Sequence, residues 1–152
     1  MVYFCLPCSG YLVFRSATFT GGSSTDFSFT FRTEYISGLL FFAYGGSGSF
    51  YLVQMISSYL SWVISNNGVE ENVLFNATSL CDGQWHSVRL TTTGRMMTVA
   101  VDSFTPTTYG SGADQPGISL ASFIYVGGVP SGSEGDVFAG QNGLQNRLQT
   151  SK

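Results

Sequence analysis

Asp82-Gly83-Gln84-Trp85-His86-Ser87-Val88 joins a tight turn to a strand. Gly83 permits the positive φ that other residues avoid, and the short Asp82 side chain can bond to nearby backbone, so the pair starts a turn. Residues 85–92 then alternate, with Val88 and Leu90 on the same face as His86. Consecutive side chains of a strand point to opposite faces. Trp85 and His86 are therefore divided by the sheet, one packed in the core and the other partly wet.

Outward from this stretch the chain reads as strand after strand. Towards the N-terminus, residues 26–33 put Phe27, Phe29 and Phe31 on one face and Ser28, Thr30 and Arg32 on the other, the period-two pattern of a half-buried strand. Residues 10–14 form a short strand ahead of it. Ser37-Gly38 turns the chain into an apolar strand at 39–44, and Gly45-Gly46-Ser47-Gly48 turns it again. Strands at 50–56 and 60–65 follow. Asn66-Asn67-Gly68 is a strong hairpin signal, because Asn and Gly accept positive φ, and it returns the chain into 69–76.

Towards the C-terminus, Thr93-Gly94-Arg95 leads into 96–102, where Met97, Val99 and Val101 share a face. Residues 103–117 are looser and carry Pro106 and Pro116. Residues 118–126 are the last strand, ended by Gly127-Gly128. No segment holds a helical period. Short strands with turns this frequent predict an all-β antiparallel sandwich. Residues 131–152, rich in Gly, Ser, Gln and Asn, are expected to form an atypical, poorly ordered tail.

Composition narrows the function classes. Charged residues make up 10% of the chain, against about 25% in ordinary soluble domains. Hydrophobic residues at 43% and aromatics at 15% give ample core material and argue against disorder. Arg15, Arg32, Arg89, Arg95, Arg147 and Lys152 are scattered under a net charge of −3, which excludes nucleic-acid binding, since phosphate contacts need clustered cations. The longest apolar run, 39–44, falls far short of the roughly 20 residues of a membrane span. Met1 to Leu6 is apolar but lacks a basic region and meets Pro7 at once, so it reads as part of something longer rather than a signal peptide. Cys5, Cys8, Cys81 and His86 are too few and too dispersed for zinc. The Cys5–Cys8 spacing has no βαβ context for redox chemistry.

The quoted stretch resembles the Asp-Gly-x-Trp-His-x-Val signature of laminin G-like domains. Three further pieces follow the family's order. Phe27-Ser-Phe-Thr-Phe-Arg-Thr33 with Gly38-Leu-Leu-Phe-Phe-Ala43 resembles its opening strands. Val99-Ala-Val-Asp102 resembles the strand after the Trp-His strand, and Tyr125-Val-Gly-Gly-Val-Pro130 its closing segment. The resemblance covers residues 10–130, leaving 1–9 as a linker or the end of a preceding module and 131–152 as the tail. It implies a jelly-roll β-sandwich related to the lectins, found in extracellular mosaic proteins of the laminin, neurexin, agrin and usherin type. It also implies binding of glycans or protein receptors at a rim of loops, often around one calcium ion.

Two departures follow. The family's calcium carboxylate matches Phe50, or Ser49 with a one-residue slip, and its second side-chain ligand matches Ser119. Calcium takes six to eight oxygens, with carboxylates prominent, so no cofactor is expected; Asp114 is the nearest carboxylate that could substitute. After Phe138-Ala139-Gly140 comes Gln141 where the family has Cys. The implied disulfide is missing, and such a loss costs about 2–5 kcal/mol, so a marginal fold or an exposed sheet edge near the termini is expected. Cys81 reads either as a buried thiol or as a partner for a cysteine elsewhere.

Asn76-Ala77-Thr78 is a glycosylation sequon. The sequence best fits a non-catalytic extracellular adhesion module. It would bind a protein receptor or glycan through rim loops at 45–49, 66–68 and 103–117, with Phe50, Phe104 and Tyr109 as contact aromatics. Heparin fits badly, for want of basic clusters. The alternative is a structural spacer without a ligand. An enzyme is not expected: adjacent Glu70 and Glu71 point to opposite faces of a strand, whereas glycosidic cleavage needs two facing carboxylates, and no nucleophile elbow surrounds the single histidine.

Overall fold

The alternation around Trp85 and His86 is realised in a computed structural model that describes residues 5–6, 12–15, 24–46, 49–110 and 123–128. Eleven strands are present among the described residues: β1 (Cys5–Leu6), β2 (Leu12–Arg15), β3 (Ser24–Thr33), β4 (Gly38–Gly46), β5 (Ser49–Ile56), β6 (Tyr59–Asn66), β7 (Val69–Phe75), β8 (Trp85–Thr93), β9 (Met96–Val101), β10 (Thr107–Gly110) and β11 (Phe123–Val126). They form a five-stranded sheet, ordered β1-β3-β8-β9-β10, and a six-stranded sheet, ordered β2-β11-β4-β5-β6-β7. The pairings are antiparallel except the short parallel match of β1 with β3 at Cys5↔Arg32 and Leu6↔Thr33.

The sheets close on a core assembled by period-two alternation. β3 contributes Phe31, with Phe27 and Phe29 partly buried beside it; β8 contributes Val88 and Leu90; β9 contributes Met97, Val99 and Val101. The six-stranded sheet answers with residues that include Tyr51, Val53, Met55, Leu60, Trp62 and Ile64. Its opposite face is also buried, around Leu39, Phe42, Phe50, Leu52 and Val63. Burial on both faces explains why 39–44 and 50–56 read as nearly continuous apolar runs rather than as alternation.

The turns follow local chemistry. Asn67 and Gly68 take φ of 50° and 84°, as the hairpin signal predicts. The β5–β6 hairpin turns on Ser57 and Ser58, both at positive φ (50° and 74°), without a glycine. The looser segment after residue 103 differs from expectation in holding a strand, β10, whose Thr108 Oγ1 lies 3.2 Å from Thr98 Oγ1 across the pair. Residues 118–122 of the expected last strand, and the tail 131–152, lie outside the described residues.

The register assigns the turns among the described residues to one of two ends. β3 passes to β4 through 34–37, and β7 to β8 through 76–84, at the crossover end, which also holds the 57–58 turn and residues 102–106. The opposite end, here the hairpin end, gathers Gly45 and Gly46 beside Ser49, the Asn67-Gly68 turn, Gly94, and Gly110 at the close of β10. At the crossover end, Ser58 N–H donates to Ile36 O (2.7 Å), Leu80 N–H to Ser58 O (2.9 Å) and Gly83 N–H to Thr33 O (3.1 Å), tying the loops of both sheets together.

Candidate functional site

The Asp-Gly turn and the strand after it build one polar clip at the crossover end. Gly83 adopts φ +74°, and Gln84 N–H donates to Asp82 Oδ1 at 2.8 Å, an Asx turn. The strand then points His86 inward and Trp85 outward: His86 is 6% exposed and Trp85 45%. His86 belongs to the face of Val88 and Leu90, so parity places it inside. The Arg32 guanidinium, on the residue paired with Trp85, lies over the outward indole at 5.5 Å from its centroid.

Inside, His86 Nδ1 lies 2.9 Å from Asp102 Oδ2 and Nε2 lies 3.1 Å from Asp82 Oδ1. Ser87 N–H donates to Asp102 Oδ1 at 2.7 Å. Asp102 holds φ +48° while it accepts these bonds. Two of the sequence signatures, Asp-Gly-x-Trp-His and Val-x-Val-Asp, thus meet as one hydrogen-bonded unit joining the 82–84 turn to the end of β9. The Gln84 amide above all, with His86, holds the Asp82 carboxyl below the usual carboxylate range. Both imidazole nitrogens face carboxylates, so the ring is held from two sides.

The residues matched to the family's calcium site do not fit a cation where they are described. Phe50 is fully buried, its ring 6.0 Å from that of Phe42. Ser49 Oγ accepts from Asn67 N–H at 3.1 Å and so braces the neighbouring turn. Neither position offers a carboxylate. Among the described residues no group of three or more His, Cys, Asp or Glu converges to hold a metal. Ser119 and Asp114 lie outside the described residues.

The structure separates the three contact aromatics. Phe50 cannot touch a ligand, and its place at the rim is corrected by its burial at 0% exposure. Phe104 lies at the crossover end, where its ring meets that of buried Phe75 edge-on at 5.9 Å. Tyr109 stands at the edge strand β10, opposite Met97, and is 43% exposed. The hairpin end instead presents Val69 and Met96, at 64% and 45% exposure, which the sequence offered only as the first residues of strands. Their position just after the Asn-Gly and Thr-Gly turns was the available signal.

Gly127 takes φ +80° and its N–H donates to Leu40 O at 3.1 Å, fastening the end of β11 to β4, with Gly128 next in line. Asn76 is exposed immediately after β7. Cys81 is a free, half-buried thiol. Its Sγ lies 3.0 Å from Ser58 Oγ and 3.3 Å from Ser79 Oγ. The Ser58 hydroxyl, followed by that of Ser79, draws the thiol below its ordinary pKa. The side chain of Cys5 and the whole of Cys8 lie outside what is described.

Known proteins agree with this architecture. The Laminin G domain family model matches residues 31–149, running past residue 130, and the chain belongs to the Laminin G domain family. These domains are commonly extracellular binding modules, not enzymes. Usherin of Rattus norvegicus is 32% identical over 124 residues, 80% of this chain and 2% of usherin. Neurexin-2 of Mus musculus is 29% identical over 123 residues, 80% of this chain and 7% of neurexin-2. The chain therefore spans a small fraction of the relatives it matches. Domains LG4-5 of the mouse laminin alpha1 chain share the fold, with a TM-score of 0.70 at 19% identity, over 80% of this chain and 32% of that one.

Proposed function

We propose that this chain is a non-catalytic extracellular recognition module that binds a protein receptor or a glycan through its hairpin end. The observation that supports this reading is the convergence there of turns from both sheets, flanked by exposed Val69, Met96 and Tyr109, on a fold whose family consists of binding domains. The crossover end, by contrast, is laced by hydrogen bonds between its own loops. An apolar rim with Arg95 as the cation of the Thr-Gly turn suits a protein or weakly charged glycan better than a sulfated polymer.

The test is a binding screen of the purified chain against extracellular receptor ectodomains and a panel of neutral, sialylated and sulfated oligosaccharides. Binding should weaken at least tenfold in Val69→Asp and Met96→Asp, and hold in Ile36→Asp at the other end. Loss through Ile36→Asp alone would move the site. Silence across the whole screen would favour a spacer domain, the reading to which the non-carboxylate residues Ser49 and Phe50 lend support.

A further inference from the structure

Asn76 does not stand alone on its surface. Leu60 pairs with Phe75 at the end of the β6–β7 ladder, and the next residues along the two strands' chains are Tyr59 and Asn76. Leu60 and Phe75 face the core, so alternation turns Tyr59, within β6, to the outer face of the six-stranded sheet, while Asn76 is exposed just past the end of β7. Ile56 pairs with Tyr59 across the hairpin, and Leu74, two residues before Asn76, shares the face of Tyr59. These neighbours form an apolar corner at the solvent: Ile56 is 41% exposed, Tyr59 36% and Leu74 42%. The corner borders β7, an edge strand of its sheet, and exposed apolar edges invite association unless something covers them.

We propose that Asn76 carries an N-linked glycan whose first sugar lies on the ring of Tyr59 and covers the Ile56–Tyr59–Leu74 corner. This rests on the extracellular setting proposed above. The Asn76-Ala77-Thr78 sequon occupies an exposed bend after the strand, where the amide is accessible. In the transfer, Asn76 Nδ2 bonds to the anomeric carbon of a lipid-diphosphate-linked oligosaccharide. The sugar–phosphate bond breaks, the lipid diphosphate leaves, and one amide proton is lost. The C–H face of the attached sugar is apolar and flat enough to stack on an aromatic ring, as apolar partners do. Because Asn76 is at the crossover end, the glycan leaves the hairpin end open for recognition.

The experiment expresses the full chain behind a secretion leader in cultured mammalian cells and reads electrophoretic mobility in lysate and medium. A glycosidase-sensitive shift is expected, lost in Asn76→Gln and Thr78→Ala and kept in Thr78→Ser. An unshifted wild-type chain overturns the site, whether or not that chain binds a ligand; a shifted chain that binds nothing overturns the recognition reading alone. For the Tyr59 contact, enzymatic removal of the sugar should lower the melting midpoint of the wild type by a few degrees and leave that of Tyr59→Ala unmoved. An equal change in both overturns the stacking.

Discussion

Asp102 Oδ2 sits 2.9 Å from Nδ1 of His86, and its other carboxylate oxygen takes the Ser87 N–H at 2.7 Å. One side chain thus fixes both the ring and the backbone at the start of β8, from a turn that closes β9. Removing it takes one of the two partners from the buried imidazole and the partner of the Ser87 N–H together. Asp102→Ala should cost about 2–3 kcal/mol, and Asp102→Asn less, since Asn tolerates the φ of +48° and keeps an acceptor. Urea unfolding of the two variants checks the order; equal midpoints would show that the clip is dispensable.

The Asp82 and Asp26 carboxylates contribute to stability on the acid side. Asp82 is lowered from its ordinary 3.8 mainly by the Gln84 amide. Asp26 is lowered mainly by Arg89, which grips it with Nε at 2.9 Å and Nη2 at 2.5 Å. A group with a depressed folded pKa stabilises above its unfolded value, and that stability is lost as pH falls through the folded value. Urea midpoints should hold from neutrality to about pH 5 and decline below about pH 4. Asp82→Asn and Asp26→Asn should each flatten that decline only slightly, as both carboxylates are exposed and screened by solvent.

The two tryptophans should behave oppositely. Trp62 is buried at 1% exposure and Trp85 is 45% exposed under Arg32. Trp62→Ala should cost about 3–5 kcal/mol, and Trp85→Ala about 1 kcal/mol, the scale of an exposed cation–π contact. Iodide quenching should reach the emission of Trp85 and spare that of Trp62. A Trp85→Ala variant that unfolds the chain would contradict the outward placement.

The Cys81 thiol should react with iodoacetamide in the folded protein at near-neutral pH faster than an ordinary thiol, because Ser58 lowers its pKa. Ser58→Gly removes that hydroxyl while suiting the φ of +74°, and should slow the reaction without unfolding the chain. An unchanged rate would remove the serine from the explanation.

Calcium should leave the melting midpoint where chelator puts it. Phe50 is a buried ring and Ser49 is spent on the Asn67 turn. A rise with millimolar calcium would reveal a site built from other oxygens.

What the sequence disclosed depended on how many faces a strand buries. β3, β8 and β9 bury one face, and their alternation was readable residue by residue. β5 and β6 bury both faces, so their strands were legible while Phe50 was not: an apolar residue at a predicted rim looks the same whether it faces solvent or the second core cluster. β10 escaped because four residues after Pro106 are too few to establish a period. The Ser57–Ser58 turn escaped because serine is an uncommon choice where φ must be positive. The meeting of Asp82, His86 and Asp102 was legible only as separate motifs, since pairing between strands, and not spacing along them, brings Asp102 to the ring.

The pairing of β3 with β8 also sets an order on the ribosome. β4 to β7 each find a partner one hairpin away and can zip as they emerge. Phe27, Phe29 and Phe31 pair with Leu90, Val88 and His86, which are made only after all four of those strands. Non-local pairing is slow to form and leaves apolar surface exposed in the meantime. The nascent chain must therefore carry β3 and its phenylalanine stripe without their β8 partner while residues 34–84 are made, the interval in which a chaperone would have its substrate.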